Sequence, residues 1–480
     1  MEGNTLRAGN IFLWFSLLVL VVCTGLYAAT GLETLLYIPL ALCYVWIMAN
    51  NWKLAWWLLL AAIPVSVHLG LFGDTLSTSL PDEPMTWLFL LLLPLLLLYK
   101  PEVLPLRALA NPIVVVVGLQ LLWVVVAVVY SQDVMISFKY LLVKIWLLAA
   151  FFVFPFIIFR KQQDFVTGFR VFLAPLMLTI LIVLVRHGWL QFRFTQINEA
   201  IGKLYYNHVE YSTIVSMVFP LACMAWPLMA GMKRWVRVGF VVILIVFAVA
   251  ILFSYARAAI LAVLFAFIVA VSIRYRIARL IMPVFYAIII AVMAYMIHEN
   301  RYLEYRPDYN QTYMRNELNA HLEATFQGTD MSGMERVYRW IAAIRMSGDK
   351  PITGYGPNTF VHQYKSYTVS AFKTYVSDNA ERSTTHNYFL YMLAEQGWPA
   401  MLLYALLIPV VIGVAQGAYH RFRDPFYKRC TLGLAMMFAA AFVNNFFSEL
   451  TDTHKVGALF YISMALLAVL ASKSREQAMT

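Results

Sequence analysis

Charge is scarce in this sequence. Aspartate, glutamate, lysine and arginine make up only 13% of its 480 residues, where a soluble protein carries about 25%. That shortage excludes an ordinary water-soluble domain. Cysteine is rare too. Cys23, Cys43, Cys223 and Cys430 fall in or at the edge of apolar runs, without metal spacing. They read as packing residues rather than a disulfide framework. No His/Asp/Glu grouping has the spacing of a zinc motif such as H-E-x-x-H, so neither a metal nor another cofactor is expected. Internal repeats, low-complexity tracts and disordered linkers are lacking as well.

Apolar residues fill the gap: 62% of the chain is hydrophobic and the mean hydropathy is +0.72. Apolar runs repeatedly reach ~20 residues, the length at which a helix crosses a hydrocarbon core of ~30 Å. In lipid each backbone polar group needs an internal partner, so these runs are expected as helices. Barrel strands would alternate, and Leu88, Phe89, Leu90, Leu91, Leu92 and Leu93 do not. The expected fold class is therefore all-α: a polytopic membrane protein with about 12–14 spans. Fourteen candidates centre near residues 20, 41, 63, 92, 121, 150, 176, 220, 246, 265, 288, 408, 439 and 464. The first, from Ile11 to Ala29, is longer than a signal-peptide core and reads as a membrane helix.

Basic clusters set the orientation. Arg160-Lys161, Lys233-Arg234-Arg237, Arg274-Arg276-Arg279, Arg421-Arg423-Lys428-Arg429 and Lys473-Arg475 occupy every second junction, with weaker signals at Lys53, Lys100 and Arg107. Lysine and arginine collect in cytoplasmic loops, so these junctions and both termini are expected inside. The net charge of +11 follows from that rule and does not call for nucleic acid. The long polar stretch from Asn300 to Thr385 then faces outward, periplasmic in a Gram-negative cell. Three regions result: an N-terminal bundle over 1–297, a large outer loop over 298–386 and C-terminal membrane helices over 387–480. Within the loop, Met334 to Met346 reads as a helix whose apolar face is Val337, Trp340, Ile341 and Ile344. Cysteine labelling from outside is expected to modify a probe near Asn319 and spare one near Arg276. The reverse pattern would invert the topology.

Several cations face outward against that rule: Arg186, Arg193, Lys203, Arg257, Arg336 and Arg339. Arg257 lies in a tight turn between two apolar runs, Ser254-Tyr255-Ala256-Arg257. A charge at mid-membrane costs ~2.5–3.5 kcal/mol on insertion scales, so it usually has a partner or purpose. Guanidinium forks match phosphate oxygens bidentately. Snorkelling to headgroups is the competing reading, and it is preferred for Arg186, Arg193, Arg336, Lys139, Lys144 and Arg170 but not for Arg257. His386, in Thr385-His386-Asn387, ends the polar stretch, and Gly397 follows ten residues after Asn387. An imidazole titrates near neutrality and suits general acid–base work. His68, His187, His208, His321 and His454 read as structural. Gly354-Tyr355-Gly356-Pro357-Asn358 lacks the ending of a phosphate loop and reads as a turn before Phe360.

Taken together, these pieces resemble the O-antigen ligase/O-antigen polymerase superfamily of bacterial membrane glycosyltransferases. The matching elements are Ser254 to Leu261 with Arg257, then Arg336, Trp340, Pro351, Gly354, Gly356 and Phe360, then His386, Asn387 and Gly397. The ligase pattern continues to Gly, Thr or Tyr where this chain has Ala400. The resemblance implies a GT-C-like helical enzyme in the bacterial inner membrane, with its site toward the periplasm. It implies an undecaprenyl-diphosphate-linked glycan donor, a lipid A–core acceptor, membrane lipids around it, and metal-independent inverting transfer in lipopolysaccharide biosynthesis. His386 would be the base, with Glu199 or Glu210 as the next candidates. Arg257 and Arg193 would bind diphosphate, with Arg186, Lys203 and Arg336 in reserve. Asn387, Gly397, Gly354 and Gly356 would support the loop. A polymerase or a protein O-oligosaccharyltransferase of the same superfamily are alternatives. A lipid-linked-glycan transporter fits less well, because no paired halves or interrupted midplane helices are visible.

Overall fold

The computed structural model describes residues 18–24, 26, 37–71, 76–104, 106–304, 331–369 and 384–479. It is almost entirely helical. Two 14-residue helices come first, α1 (Tyr37–Asn50) and α2 (Trp52–Val65). A short hairpin follows, β1 (Val67–Leu71) antiparallel to β2 (Leu76–Leu80), with Val67 opposite Leu80. Longer helices come next: α3 (Asp82–Tyr99), α4 (Pro112–Val129), α5 (Val134–Ile158), α6 (Gln162–Trp189), α7 (His208–Ala225), α8 (Arg234–Phe253), α9 (Arg257–Arg274) and α10 (Ala278–Ile297). The loop helix is α11 (Met331–Asp349). The chain closes with α12 (Tyr388–Arg421), α13 (Pro425–Phe446) and α14 (His454–Met479).

Among the described residues eleven helices are long and apolar enough to cross a membrane. They match the eleven sequence candidates from residue 92 onward. The candidates near 41 and 63 correspond instead to α1 and α2. At 1.5 Å per residue α2, bounded by Asn51 and Ser66, is about 21 Å long and falls short of a full hydrocarbon core. α1 and α2 pair with each other at Asn51, where the Tyr44 hydroxyl donates to the Ala55 carbonyl at 3.1 Å. Of the candidate near 20, residues 18–24 and 26 are described, and they are helical. The hairpin was not expected; it occupies the junction before Glu83.

Small residues build the centre. Helices in lipid gain little from the hydrophobic effect, so close backbone approach drives their association. On α9, Ala259, Ala262, Ala266 and Ala270 are buried at helical spacing. α9 packs on α13, which buries Gly433, Ala435, Ala439, Ala440 and Ala441. A Cβ at Gly433 would lie 2.7 Å from Leu221 on α7, which shows how near these helices come. α14 is the most enclosed span, followed equally by α5 and α13, while α10 lies at the periphery.

The helix ends gather into two opposite groups. One end is knit by basic junctions: Arg160 donates to the Val103 carbonyl at 2.8 Å, Lys473 to the Arg160 carbonyl at 3.2 Å, and Arg421 to the Ser474 hydroxyl at 3.1 Å. The other holds the hairpin, the α6–α7 connection, the α8–α9 turn, α11 and the α13–α14 loop. Buried polar groups join them. His454 Nδ1 lies 2.8 Å from Asp82 Oδ2, and Lys455 donates to the carbonyls of Ser66 and Leu204 at 2.8 and 2.5 Å.

Candidate active site

α11 sits on the first turn of α12 and forms the wall of the site. Its buried face is not the one expected from sequence. Tyr338, Ala342, Ala343 and Met346 pack with Tyr355, Phe360, Tyr364, Leu390 and Leu393, while Ile344 is exposed. Glu335 and Arg339 share that inner face and are buried, with 3.8 Å between Arg339 Nη2 and Glu335 Oε2. Apolar periodicity selected the wrong stripe because the inward stripe carries charge.

Trp340 remains important. Its indole donates to the Thr385 carbonyl at 2.9 Å and pins the turn before α12. The Thr385 hydroxyl donates to the Asn387 carbonyl at 2.8 Å, and the Asn387 side chain caps α12 by accepting from the Leu390 amide at 3.1 Å. Asparagine is among the favoured residues at that position because it satisfies an orphan helix donor. Between them His386 takes φ = 50°, a left-handed conformation uncommon outside glycine. The turn therefore dictates where the imidazole points.

The second wall is a close contact between two backbones. The turn from Pro351 to Phe360 lies on a break in α12 at Gly397, where φ is 78°. The Tyr355 amide donates to the Ala394 carbonyl at 3.1 Å, Gly356 to Glu395 at 2.8 Å, and Trp398 to Pro351 at 2.9 Å. A Cβ at Gly397 would stand 2.0 Å from the Ile352 carbonyl oxygen, and one at Gly354 2.2 Å from the Glu395 carbonyl carbon. Glycine is required here by space as well as by dihedral. Gly356 meets Ser131 in the same way, at 1.9 Å. The Glu395 carboxylate accepts from the amides of Asn358 and Phe360 at 2.5 and 2.8 Å. This turn is a structural joint, with its amides already committed to protein partners.

Around His386 the charges are mixed. Burial, and then the guanidinium groups of Arg336 and Arg339, push its imidazole down to about 3. Glu449, on the α13–α14 loop, places Oε1 3.9 Å from His386 Nδ1. Burial, helped by nearby Asp452, pushes the Glu449 carboxyl up to about 7 against the opposing pull of Thr384, Arg339 and Arg336. Glu449 was missed in the sequence because nothing within its own segment sets it apart.

Beneath it lies a buried ion pair. Lys144 Nζ is 2.5 Å from Asp452 Oδ1 and 3.2 Å from the hydroxyls of Tyr388 and Tyr461. Lys144 was expected to snorkel outward. Packing turns it inward, where Asp452 on a different helix junction offsets its charge. A cavity of about 40 Å³ adjoins it, lined in part by Tyr140, Tyr388, Gln396, Tyr404 and Tyr461. A larger cavity of about 510 Å³ opens among α6, α7 and α13 toward the opposite, basic end.

The other candidate cations divide into two groups. Arg257 is the first residue of α9, just after Tyr255 at φ = 56°. The Tyr255 hydroxyl donates to the Phe192 carbonyl, and its ring lies 5.5 Å from Phe194. Arg193, between those two phenylalanines, is exposed and donates to the Gln191 side chain at 2.8 Å. Phe194 also touches His208 at 6.3 Å between ring centres, and Arg336 acts electrostatically on both His208 and His386. Ring contacts thus link Tyr255 and Phe194, the neighbours of Arg257 and Arg193, to His208, and Arg336 acts on both His208 and His386. Arg186 and Lys203 sit apart. Arg186 lies along Gly202, and Lys203 is exposed where its carbonyl accepts from His68 of the hairpin at 2.9 Å. Glu210 is occupied in that same region, 3.4 Å from His68 and accepting from the Tyr206 amide at 2.7 Å. His321 lies outside the described residues.

Residues 240–405 match the family model described as O-Antigen ligase. The chain carries an O-antigen ligase domain. Its eleven long apolar helices are those of a multi-pass membrane protein, and over residues 240–405 it is similar to the O-antigen ligase/polymerase type of membrane glycosyltransferase. No curated protein matches it. The matched part of the O-antigen ligase domain runs from α8 into α12 and holds Arg257, Arg336, Gly354, Gly356, His386, Asn387 and Gly397. Arg186, Arg193, Lys203, Lys144, Glu449 and Asp452 lie outside it.

Proposed function

We propose that this protein transfers a glycan from undecaprenyl diphosphate to a sugar hydroxyl of lipid A–core at the periplasmic face of the inner membrane. The observation carrying this reading is the gathering of His386 and Arg336, both in the ligase-matched segment, with His208 and the Tyr255–Phe194 contact that neighbours Arg257 and Arg193. The donor is amphipathic, so it is best served by a site at the membrane boundary. Its leaving group is a dianionic diphosphate. Arg257, Arg336 and Arg193 supply preorganised positive charge where the negative charge develops. In many transferases a divalent metal has that task; here the guanidinium forks take it.

The acceptor hydroxyl attacks the anomeric carbon opposite the diphosphate. The carbon–oxygen bond to phosphate breaks, the configuration inverts, and the hydroxyl proton passes to His386. Its neutral imidazole is the competent form. The loop over 298–386 would be the catalytic region in this reading, between an N-terminal bundle and the C-terminal membrane helices. Ala400, where ligases carry Gly, Thr or Tyr, favours one second reading: a polymerase whose acceptor is another lipid-linked glycan.

The test is incubation of the purified protein with lipid-linked glycan and lipid A–core, separately and together, with and without chelator. Ligation is expected only with both substrates and is expected to survive chelation. Product from the donor alone would indicate the polymerase, and chelator-sensitive transfer would reject the arginine mechanism.

A further inference from the structure

Two segments far apart in sequence converge on His386. One is the turn carrying the histidine itself. The other is the α13–α14 loop, a tight turn in which the Asp452 amide donates to the Glu449 carbonyl at 3.1 Å. Both are fastened to the same point. Asp452 receives Lys144 from α5 at 2.5 Å, the Tyr388 hydroxyl at 3.2 Å and the Tyr140 hydroxyl at 3.2 Å. Tyr388 is only two residues beyond His386 and begins α12. The Asp452–Lys144 pair therefore fixes the histidine turn and the Glu449 loop relative to each other. The start of α14 holds the loop from below: a Cβ at Gly457 would come within 2.6 Å of the Thr451 carbonyl oxygen.

This arrangement answers a difficulty in the proposed reaction. A base must carry positive charge once it takes the proton. Arg336 and Arg339 on α11 oppose that charge. Among the described residues Glu449 is the carboxylate within 4 Å of the ring, on the Nδ1 side.

We propose that Glu449 is the positioning carboxylate of His386, held in register by the Lys144–Asp452–Tyr388 cluster. It accepts the Nδ1 proton, so that the Nε2 lone pair faces the acceptor hydroxyl. When Nε2 takes the hydroxyl proton, the Glu449 carboxylate offsets the imidazolium. The proton that moves is the acceptor's own, and the imidazolium then releases it to solvent, which restores the neutral ring. The present 3.9 Å separation exceeds a hydrogen bond; catalytic hydrogen bonds are often long before substrate arrives and tighten in the complex. The inference rests on His386 being the base.

The pH dependence follows from the groups around Glu449. Arg336 and Arg339 face it from α11, His386 from its turn and Asp452 from its own loop, with Lys144 below Asp452. With the carboxyl pushed up to about 7, lowering the pH through that value neutralises Glu449. The rate falls there, well above the pH at which His386 itself protonates.

The experiment compares wild type, Glu449→Gln, Glu449→Asp and His386→Ala, full-length and purified, in the ligation assay across acid and neutral pH. Glu449→Gln is expected to lose about 10–100-fold in kcat, the range for outer partners that orient an imidazole. Its KM for the lipid-linked donor should stay put, because the arginines hold the diphosphate. Its acid limb near neutrality should vanish. Glu449→Asp should recover part of the rate and keep a limb, which a merely structural carboxylate would not explain. The proposal is overturned by wild-type kcat in Glu449→Gln, or by an unchanged limb in that variant. An inactive His386→Ala beside a normal Glu449→Gln sinks this proposal alone. An active His386→Ala sinks the base assignment and this proposal with it.

Discussion

Replacement of His386 by alanine is expected to lower the transfer rate by about 10²–10⁴, the usual loss on removing a positioned base. The variant should still fold and insert. The turn is held by Trp340 on the Thr385 carbonyl and by the Asn387 cap, neither of which uses the imidazole. Alanine does have to accept φ = 50° at this position, so thermal stability should drop slightly. Donor binding should survive, since the arginines remain. A titration of lipid-linked glycan into the purified variant separates the two effects. Near-normal turnover would refute the base assignment; lost donor binding would recast His386 as a phosphate contact. Burial and the guanidinium groups of Arg336 and Arg339 keep the wild-type imidazole neutral down to about pH 3. Loss of activity just below neutrality would therefore report on another group, and Glu449 is placed to be it.

Arg257→Lys is expected to cost about 10²–10³ in kcat despite keeping the charge, comparable to loss of one preorganised transition-state donor. An ammonium is a point charge and cannot form two parallel bonds to phosphate oxygens. Position compounds the loss. Arg257 opens α9 immediately after a turn whose Tyr255 is fastened to the Phe192 carbonyl, so the backbone delivers the fork at a set place. A shorter, rotating lysine head loses that aim. Arg257→Ala should fall further and bind donor more weakly. Wild-type transfer rates in Arg257→Ala would remove the residue from the mechanism. Comparing donor KM with kcat tells ground-state diphosphate binding from stabilisation of the departing charge.

The sequence by itself determined the membrane class, fourteen candidate spans of which eleven are full-length helices among the described residues, and the segment that holds His386 and Arg257. Those features rest on local quantities: apolar length, charge at each junction and the residue types around a turn. Lipid makes such local signals decisive, because each span must satisfy its own backbone. Tertiary structure alone decided what faces what. Glu449 is 63 positions from His386, and Asp452 is 308 from Lys144; neither pairing leaves a mark within its own segment. The inward face of α11 was misread because periodicity counts apolar residues, whereas here a charged stripe of Glu335 and Arg339 turns toward the site. α2 was read as a full span because hydropathy does not show that the helix runs only between Asn51 and Ser66. Gly354 and Gly356 read from sequence as part of a turn before Phe360, and Gly397 only as a motif position. At Gly354 and Gly397 two backbones pass too close for any side chain, and at Gly356 the Ser131 side chain fills the space, a constraint that exists only once both segments are in position.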